Sequence, residues 1–281
     1  MHEAFFVQNY WGGIYGHTWS LAVEEHFYIF LPLFLLVLAR FSSNPADPFR
    51  PIPATFLSVA VLCQISRAIS AFSGPPNFHR VYYASHNRID ALFFGVLIGY
   101  FYHFRLETLE RLMGSKWTQL LLAVSSVGFL SCAYWFDRET WFFGAIGYVL
   151  IYLGCGGVLL LSLFVRDVLP KALASVMGPI GTAFARVGVY SYSIYLWHGP
   201  VGAYLVGRAR TVLHLSLGPY EKFTLFLIES LVIGIAMSLL IEYPALHIRN
   251  RLFPAPTEAV VPPTDIAISH EVPSVPVSVP Q

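Results

Sequence analysis

The chain has 281 residues, of which 56% are hydrophobic and 12% are charged, and its formal net charge is +1. A soluble domain carries about 25% charged residues, so this composition favours a chain that is surrounded by lipid. The near-neutral charge argues against a nucleic-acid partner, because phosphate binding requires a basic surface. The three cysteines lack metal-ligand spacing, which argues against a bound metal and against a disulfide framework.

Several apolar runs, most of them about 17 to 25 residues long, could each cross a bilayer. They predict an all-α fold, a polytopic integral membrane bundle of about seven transmembrane helices. The runs are Leu21–Ala39, Ala54–Phe72, Ile89–Phe104, Trp117–Phe136, Phe143–Val165, Phe184–Val206 and Phe223–Ile241. We interpret residues 1–252 as the transmembrane domain. Residues 253–281 are rich in Pro, Val and Ser and predict a disordered tail, because repeated prolines cannot sustain a helix.

Lys and Arg residues are more numerous on one side of the predicted spans than on the other. Because short cytoplasmic loops carry the excess of positive charge, this bias predicts a cytoplasmic C-terminal tail and an external segment Trp11–Ser20. We expect the surrounding bilayer to be the plasma membrane.

The first predicted span carries two carboxylates near its start. Ser20 and Glu24 are four residues apart and share a helix face with Tyr28, whereas Glu25 points about 100° away. In one interpretation Thr18 or Ser20 caps the helix and the carboxylates favour its N-terminal dipole. In the other, a glutamate that faces the bundle orients a histidine or binds a hydroxyl donor. Ionisable groups within a bilayer are costly, so both carboxylates are candidate site residues.

Arg88 and Asp90 stand at the start of the third predicted span. They are two residues apart, so on a helix they do not face each other and each needs another partner. Arg88 could pair with Glu24 or Glu25, or bind a phosphate of a ligand. Alternatively, it is an interfacial arginine whose charged end reaches water.

The sixth predicted span contains a polar stripe. Ser191, Tyr195 and His198 lie at positions i, i+4 and i+7, which form one continuous helix face. A polar face on a buried span indicates a surface that faces the bundle interior. The last span ends at Glu242, shortly before Pro244, which by itself is an ordinary helix stop signal.

Four segments together resemble the acyltransferase 3 family of membrane-bound O-acyltransferases. They are HTWSLAVEEHFYIFLP, NRIDALFFG, YSYSIYLWHGPV and IEYPALHIRNRL, and they follow the order of that family's recurring motifs. The resemblance covers about Trp11 to Leu252. It implies transfer of an acyl group, in many members acetyl from acetyl-CoA, to a hydroxyl of a carbohydrate or another small acceptor. Acyl-CoA would be a donor substrate, with no bound cofactor.

By position, seven residues match those that recur in the family: Trp19, Ser20, Glu24, Glu25, Arg88, His198 and Glu242. Asp90 and Tyr195 join them from the spacing arguments above. The catalytic candidates are Glu24, Glu25, Arg88 and His198. The candidates for substrate binding are Trp19, Ser20, Asp90, Tyr195 and Glu242.

One departure from the family bears on activity. Family members carry, on an early helix, an arginine followed some ten residues later by the histidine that is treated as catalytic, and no such pair precedes Trp19. We therefore expect that the chain lacks N-terminal helices and could be inactive alone, with His198 and His17 as the available substitutes for the base. The alternatives are a transporter or exporter of an acylated metabolite, which would also line a polar path, and a catalytically dead remnant.

Overall fold

Helices account for all the regular secondary structure that the computed structural model describes, which comprises residues 2–73, 82–136, 140–164, 171–201 and 218–254. The predicted all-α fold is thereby confirmed. Most of the predicted tail, from residue 255 onward, lies outside the described residues, so its disorder stays a prediction.

Ten helices of eight or more residues form the described part of the bundle. In chain order they are α1 Trp19–Phe41, α2 Ile52–Phe72, α3 Ile89–Phe104, α4 Leu106–Met113, α5 Lys116–Trp135, α6 Tyr148–Phe164, α7 Lys171–Val189, α8 Ser191–Pro200, α9 Pro219–Met237 and α10 Tyr243–Leu252. Two π-helical segments extend them: Phe143–Gly147 leads into α6, and Ser238–Glu242 joins α9 to α10.

Five helical stretches of the described chain are long and apolar enough to cross a membrane. They are Gly16–Phe41, Ile52–Phe72, Lys116–Trp135, Phe143–Phe164 and Tyr220–Leu252. Helices α3 and α4 pass the same test together, but they are bent by 99° at Arg105, so the described chain has up to six spans. The predicted number of seven is therefore approximate.

The predicted span Phe184–Val206 shows why the number differs. It is divided at Tyr190, where α7 ends and α8 begins, and residues 202–206 lie outside the described ranges. The predicted third span coincides with α3 and is short, as expected.

Aromatic packing holds α1 against α3. The ring of Phe93 is buried and meets the rings of Phe27 and Phe34 edge to face, at centroid distances of 6.2 and 5.6 Å. Ile52 of α2 and Tyr100 of α3 belong to the same cluster. This core fixes the two helices whose N-terminal ends carry the candidate site residues.

Small residues allow close approach elsewhere in the bundle. A Cβ atom added at Gly157 of α6 would lie 2.1 Å from Ser126 Oγ of α5, and one at Gly234 of α9 would lie 2.5 Å from the Cα atom of Ile194 in α8. Backbones packed this closely leave no room for a side chain, which is typical of interfaces between membrane helices. The contact between α8 and α9 runs through Ile194, the residue before Tyr195.

Candidate active site

The first turn of α1 meets α8 through a chain of hydroxyl groups. The Tyr195 hydroxyl donates a hydrogen bond to the backbone carbonyl of His17. Because a phenol has one hydrogen to donate, the hydrogen bond between Ser20 and Tyr195 must run from Ser20 Oγ to the tyrosine oxygen. Ser20 and Tyr195, predicted on two separate spans, are therefore in direct contact.

Two histidine rings lie beside this contact. The centroids of His17 and His198 are 4.8 Å apart and the rings meet edge to face. His17 Nε2 lies 3.2 Å from the Leu196 carbonyl oxygen, and His198 Nδ1 contacts the Tyr195 carbonyl oxygen. A carbonyl oxygen can only accept a hydrogen bond, so in each neutral ring these nitrogens carry the hydrogen. The other nitrogen of His198, Nε2, therefore keeps the lone pair that a general base needs.

The glycine after His198 makes room for the second imidazole. A Cβ atom added at Gly199 would lie 2.3 Å from Cε1 and Nδ1 of His17, far inside van der Waals contact. His198 thus contributes an imidazole ring to the site, and Gly199 leaves the space that the His17 ring occupies.

Glu242 joins α8 to the end of the last span. Its Oε2 atom accepts hydrogen bonds from Ser193 Oγ at 2.5 Å and from Ser238 Oγ at 2.8 Å, and both serines are buried. The carboxylate belongs to the π-helical segment, and such segments are frequent at functional sites. Glu242 therefore does more than precede a helix stop signal, because it links α8 to the end of the last span.

Arg88 lies among aromatic rings. Its Cζ atom is 4.6 Å from the ring centroid of Tyr148, 5.0 Å from that of Tyr82 and 5.7 Å from that of Trp19. These are cation–π distances. Burial lowers the pKa of the guanidinium, as expected for a cation with little contact with water. Within the described ranges the guanidinium of Arg88 has no hydrogen bond and no carboxylate at ion-pair distance, so the predicted pairing with a glutamate is not found.

Asp90 is held by a residue of α2. Its Oδ2 and Oδ1 atoms accept hydrogen bonds from Arg67 at 2.8 and 3.0 Å, and both side chains are 1% exposed. Arg67 also donates to the Asn87 carbonyl at 2.8 Å and to Gln64 Oε1 at 2.9 Å. Both oxygens of Asp90 are therefore engaged within the protein, and the structure does not bring Asp90 to the hydroxyl and histidine cluster.

Glu24 and Glu25 are half-buried on α1, one turn after Ser20. Neither carboxylate has a hydrogen bond or an ion pair with any residue in the described ranges. The capping interpretation is not supported: Thr18 is the N-cap residue, but its hydroxyl donates to the Tyr15 carbonyl and does not cap the helix. The two carboxylates lie beyond the first turn, partly desolvated and without a partner among the described residues.

Sequence reasoning did not single out several residues of this region. They are Arg67, Tyr82, Tyr148, Ser193 and Ser238. Arg67 had a usable signal, because an ionisable residue within an apolar run is costly unless it is paired. Ser193, and not Ser191, is the buried serine of α8, while Ser191 is exposed. Among the described residues, no group of three or more His, Cys, Asp or Glu side chains is placed to hold a metal ion.

The sequence profile of the family described as Acyltransferase domain matches residues 3–243. O-acetyltransferase OatA of Staphylococcus aureus is 25% identical over 190 residues, which are 66% of this chain and 29% of OatA. YrhL of Bacillus subtilis, named as a peptidoglycan O-acetyltransferase, is 28% identical over 193 residues, which are 66% of this chain and 28% of YrhL. The chain thus spans less than a third of the length of these relatives. No solved structure matches it.

The matched region includes Ser20, Arg88, His198 and Glu242, so the polar contacts between the helices lie within the part of the chain that the family shares. The described part of the chain also has five apolar helices of membrane-spanning length. The chain is an integral membrane protein that belongs to the acyltransferase 3 family.

Proposed function

We propose that this chain is the part of a membrane O-acyltransferase that transfers an acetyl group from acetyl-CoA to a hydroxyl of a carbohydrate or another small acceptor. One observation carries the proposal: two adjacent residues in the first turn of α1 link the proposed base, His198, to the cation of Arg88. Trp19 lies under the guanidinium of Arg88, and Ser20 donates to Tyr195 beside His198. The names of OatA and YrhL support acetyl transfer to oxygen.

The proposed base is His198 Nε2. It removes the proton of the acceptor hydroxyl as the oxygen forms a bond to the carbonyl carbon of the thioester. The tetrahedral intermediate then collapses, the carbon–sulfur bond breaks, and the coenzyme A thiolate takes the proton from the imidazolium. The ester and free coenzyme A are the products. The Tyr195 carbonyl, which accepts from Nδ1, keeps the lone pair on the correct nitrogen.

Arg88 would stabilise negative charge in this reaction. Within the described ranges it has no carboxylate partner, so its charge is available to an oxyanion or to a phosphate of the donor. The ring faces of Trp19, Tyr82 and Tyr148 hold the cation without neutralising it. Glu24 and Glu25 would bind the acceptor hydroxyl or orient the base, since neither is engaged with another described residue.

The remaining candidates would position the substrates. Ser20 and Tyr195 form the polar contact next to the base, and Glu242 fixes α8 by accepting from Ser193. Asp90 would contribute indirectly, by holding Arg67 and so the start of α3, where Arg88 is located. We further propose that the site faces the outer side of the plasma membrane and that the C-terminal tail is cytoplasmic.

The test uses the full chain in lipid nanodiscs with radiolabelled acetyl-CoA and a soluble oligosaccharide. Ester formation and release of the free thiol are measured together. We expect both from the wild-type chain, and a loss of about a hundredfold or more for His198→Ala, since a general base contributes about that factor. His103→Ala is the matched control, because His103 is exposed at the far end of α3.

Three results would count against the proposal. Wild-type rates in His198→Ala would remove His198 as the base. Movement of an acylated metabolite across the membrane without release of coenzyme A would identify a transporter, and the absence of both activities would indicate a remnant without catalysis.

A further inference from the structure

The loop between α1 and α2 lies where three apolar helices reach the same edge of the bundle. Helix α1 ends at Phe41, and α2 begins at Ile52. Asp47 of the loop accepts hydrogen bonds from Tyr100 of α3 at 3.1 Å and from Arg105 at 2.5 Å. Arg105 is the residue at which the chain bends by 99° from α3 into α4. The end of α1, the start of α2 and the end of α3 are therefore at one level.

Helix α4 indicates that this level is a boundary between membrane and water. After the bend it no longer continues the direction of α3, and its two faces differ. Leu109 and Met113 are buried, whereas Glu107, Glu110 and Arg111 are exposed. A helix with one apolar face and one charged face that leaves the direction of a span is typical of the interfacial region of a bilayer. The loop therefore lies at the depth of lipid headgroups.

A cavity of about 460 Å³ opens between the last turns of α1 and this loop. Its volume is in the range of small-molecule pockets, about 300 to 1,000 Å³. Part of the lining is apolar and includes Val37, Leu38 and Phe41. Phe41 is 79% exposed and Val37 is 53% exposed, so both belong to the outer surface of α1. The apolar lining thus continues the lipid-facing surface of α1 to the level of the headgroups.

The rest of the lining is polar and carries a cation without a counter-charge. Asp47 and Arg50 both line the cavity, but the carboxylate of Asp47 is already paired with Arg105. The guanidinium of Arg50 is exposed and has neither a hydrogen bond nor an ion pair with a described residue. Ser43, which is also exposed, has a backbone N–H and a hydroxyl that are not bonded within the described ranges. The cavity therefore offers hydrogen-bond donors together with one positive charge.

The lining as a whole fits one class of ligand. A phosphate oxygen accepts strong hydrogen bonds from a guanidinium, so the polar part is suited to a phosphate. The apolar part is suited to hydrocarbon chains, which a soluble anion lacks. A phospholipid supplies both. A headgroup with a net negative charge is attracted to a basic site, whereas a zwitterionic headgroup carries a cation of its own.

We propose that this cavity is a binding site for an anionic phospholipid, whose phosphate contacts Arg50 and Ser43 and whose acyl chains lie along Val37 and Phe41. The proposal does not rest on acyl transfer. Ser20 and Phe41 stand at opposite ends of α1, roughly 30 Å apart at the helical rise per residue. The lipid site is therefore separate from the candidate active site.

Native mass spectrometry of the full chain in maltoside micelles measures the binding of one lipid molecule. Dioleoylphosphatidylglycerol is the anionic probe, and dioleoylphosphatidylcholine is the zwitterionic comparison. We expect the wild type to bind phosphatidylglycerol about tenfold more tightly. Arg50→Gln should weaken phosphatidylglycerol binding about tenfold, the size expected for one charged hydrogen bond, and so remove the preference. Arg111→Gln is the matched control, because Arg111 is exposed near the same level but does not line the cavity.

A second pair of variants tests where the phosphate lies. Ser43→Glu places a carboxylate at the polar end of the cavity and should also weaken phosphatidylglycerol binding about tenfold, because two like charges repel. Ser43→Gln has nearly the same shape without the charge, and its affinity should stay close to that of the wild type. Gel filtration checks that all variants are folded.

Several outcomes would overturn the lipid site. They are equal affinity of the wild type for the two lipids, unchanged binding in Arg50→Gln, and an equal loss in Arg50→Gln and Arg111→Gln. Equal binding by Ser43→Glu and Ser43→Gln would remove Ser43 from the phosphate contact.

Two soluble competitors distinguish the source of the phosphate. Glycerol phosphate has the phosphate without the chains, and coenzyme A has phosphates on a nucleotide. We expect neither to displace phosphatidylglycerol at equal concentration. Displacement by glycerol phosphate would show that the apolar lining has no part in binding, and displacement by coenzyme A would assign the cavity to the donor, so either result overturns the proposal. A lack of acetyl transfer in the same preparation would count against the proposed function alone.

Discussion

Arg67 and Arg88 belong to neighbouring parts of one bundle, but their surroundings differ. Arg67 is 1% exposed and makes two hydrogen bonds to the carboxylate of Asp90. Arg88 lies against the ring faces of Trp19, Tyr82 and Tyr148, with no carboxylate partner in the described ranges. Because Asp90 already balances the charge of Arg67, Arg67 would attract an anionic ligand only weakly. A cation held only by rings keeps most of its field for a charge that arrives with the substrate.

The difference suggests a division of roles. The pair of Arg67 and Asp90 fixes α2 against the start of α3, which is a structural role. Arg88, two residues before Asp90, is thereby held in place for chemistry. The first two predictions below each test one side of this comparison, and the next two extend it to carboxylates without a cationic partner among the described residues.

The largest effect is expected for Asp90→Ala. It leaves the Arg67 guanidinium buried without a counter-charge, which costs about 3 to 5 kcal/mol of unfolding free energy. Denaturant unfolding in mixed micelles measures the loss. The double variant Arg67→Leu with Asp90→Leu is the control, because replacing both charges by apolar groups of similar volume is often close to neutral. Equal losses in the single and double variants would contradict the structural role of the pair.

The next effect is on activity. Arg88→Met removes the charge but no ion pair with a described residue, so acetyl transfer should fall about a hundredfold, the size found when one stabilising donor is lost. Unfolding free energy should fall by only about 1 to 2 kcal/mol, the contribution of desolvated cation–π contacts. Kinetics and unfolding of the same preparation measure both. Arg88→Lys keeps the charge, and its acetyl-transfer activity should lie between those of the wild type and Arg88→Met. If Arg88→Met lost as much unfolding free energy as Asp90→Ala but kept its activity per folded molecule, Arg88 would have a structural role and no chemical one.

Sequence patterns predicted the fold better than they predicted the surroundings of Arg67. The bilayer sets the length of apolar helices, so the long runs could be located from hydrophobicity alone. The pairing of Arg67 with Asp90 joins residues 23 apart on two helices, and it depends on how α2 and α3 rotate about their axes. That rotation is set by packing, such as the burial of Phe93, which no local pattern encodes.

The polar face of α8 shows the same limit at shorter range. The spacing of Tyr195 and His198 correctly predicted that they share a face, and their rings are 5.4 Å apart. The break at Tyr190 lies inside the run Phe184–Val206 that predicted a single span, so hydrophobicity did not locate it. With that break, Ser193 becomes the buried serine of α8 and donates to Glu242.

Glu242 is an intermediate case, a carboxylate stabilised by two hydroxyl donors and by no cation in the described ranges. Glu242→Gln keeps the shape but replaces charged by neutral hydrogen bonds, so unfolding free energy should fall by about 1 kcal/mol. Thermal unfolding of the protein in nanodiscs measures the change. Glu107→Gln is the control, because Glu107 is exposed on α4. A loss as large as that of Asp90→Ala would place Glu242 with the fully buried pair.

The smallest effect concerns an exposed carboxylate, Glu3, which accepts a hydrogen bond from the backbone N–H of Ile14. This bond holds the pKa of Glu3 below its ordinary value of 4.5. Because the folded pKa is the lower one, the stabilisation is present above about pH 4.5 and is lost as the pH falls through the folded pKa. Hydrogen exchange at the Ile14 amide should therefore show protection at pH 6 that declines toward about pH 3. In Glu3→Gln the decline should disappear, since no proton is taken up. A pH dependence that survives this substitution would assign the effect to another titratable group of the segment before α1.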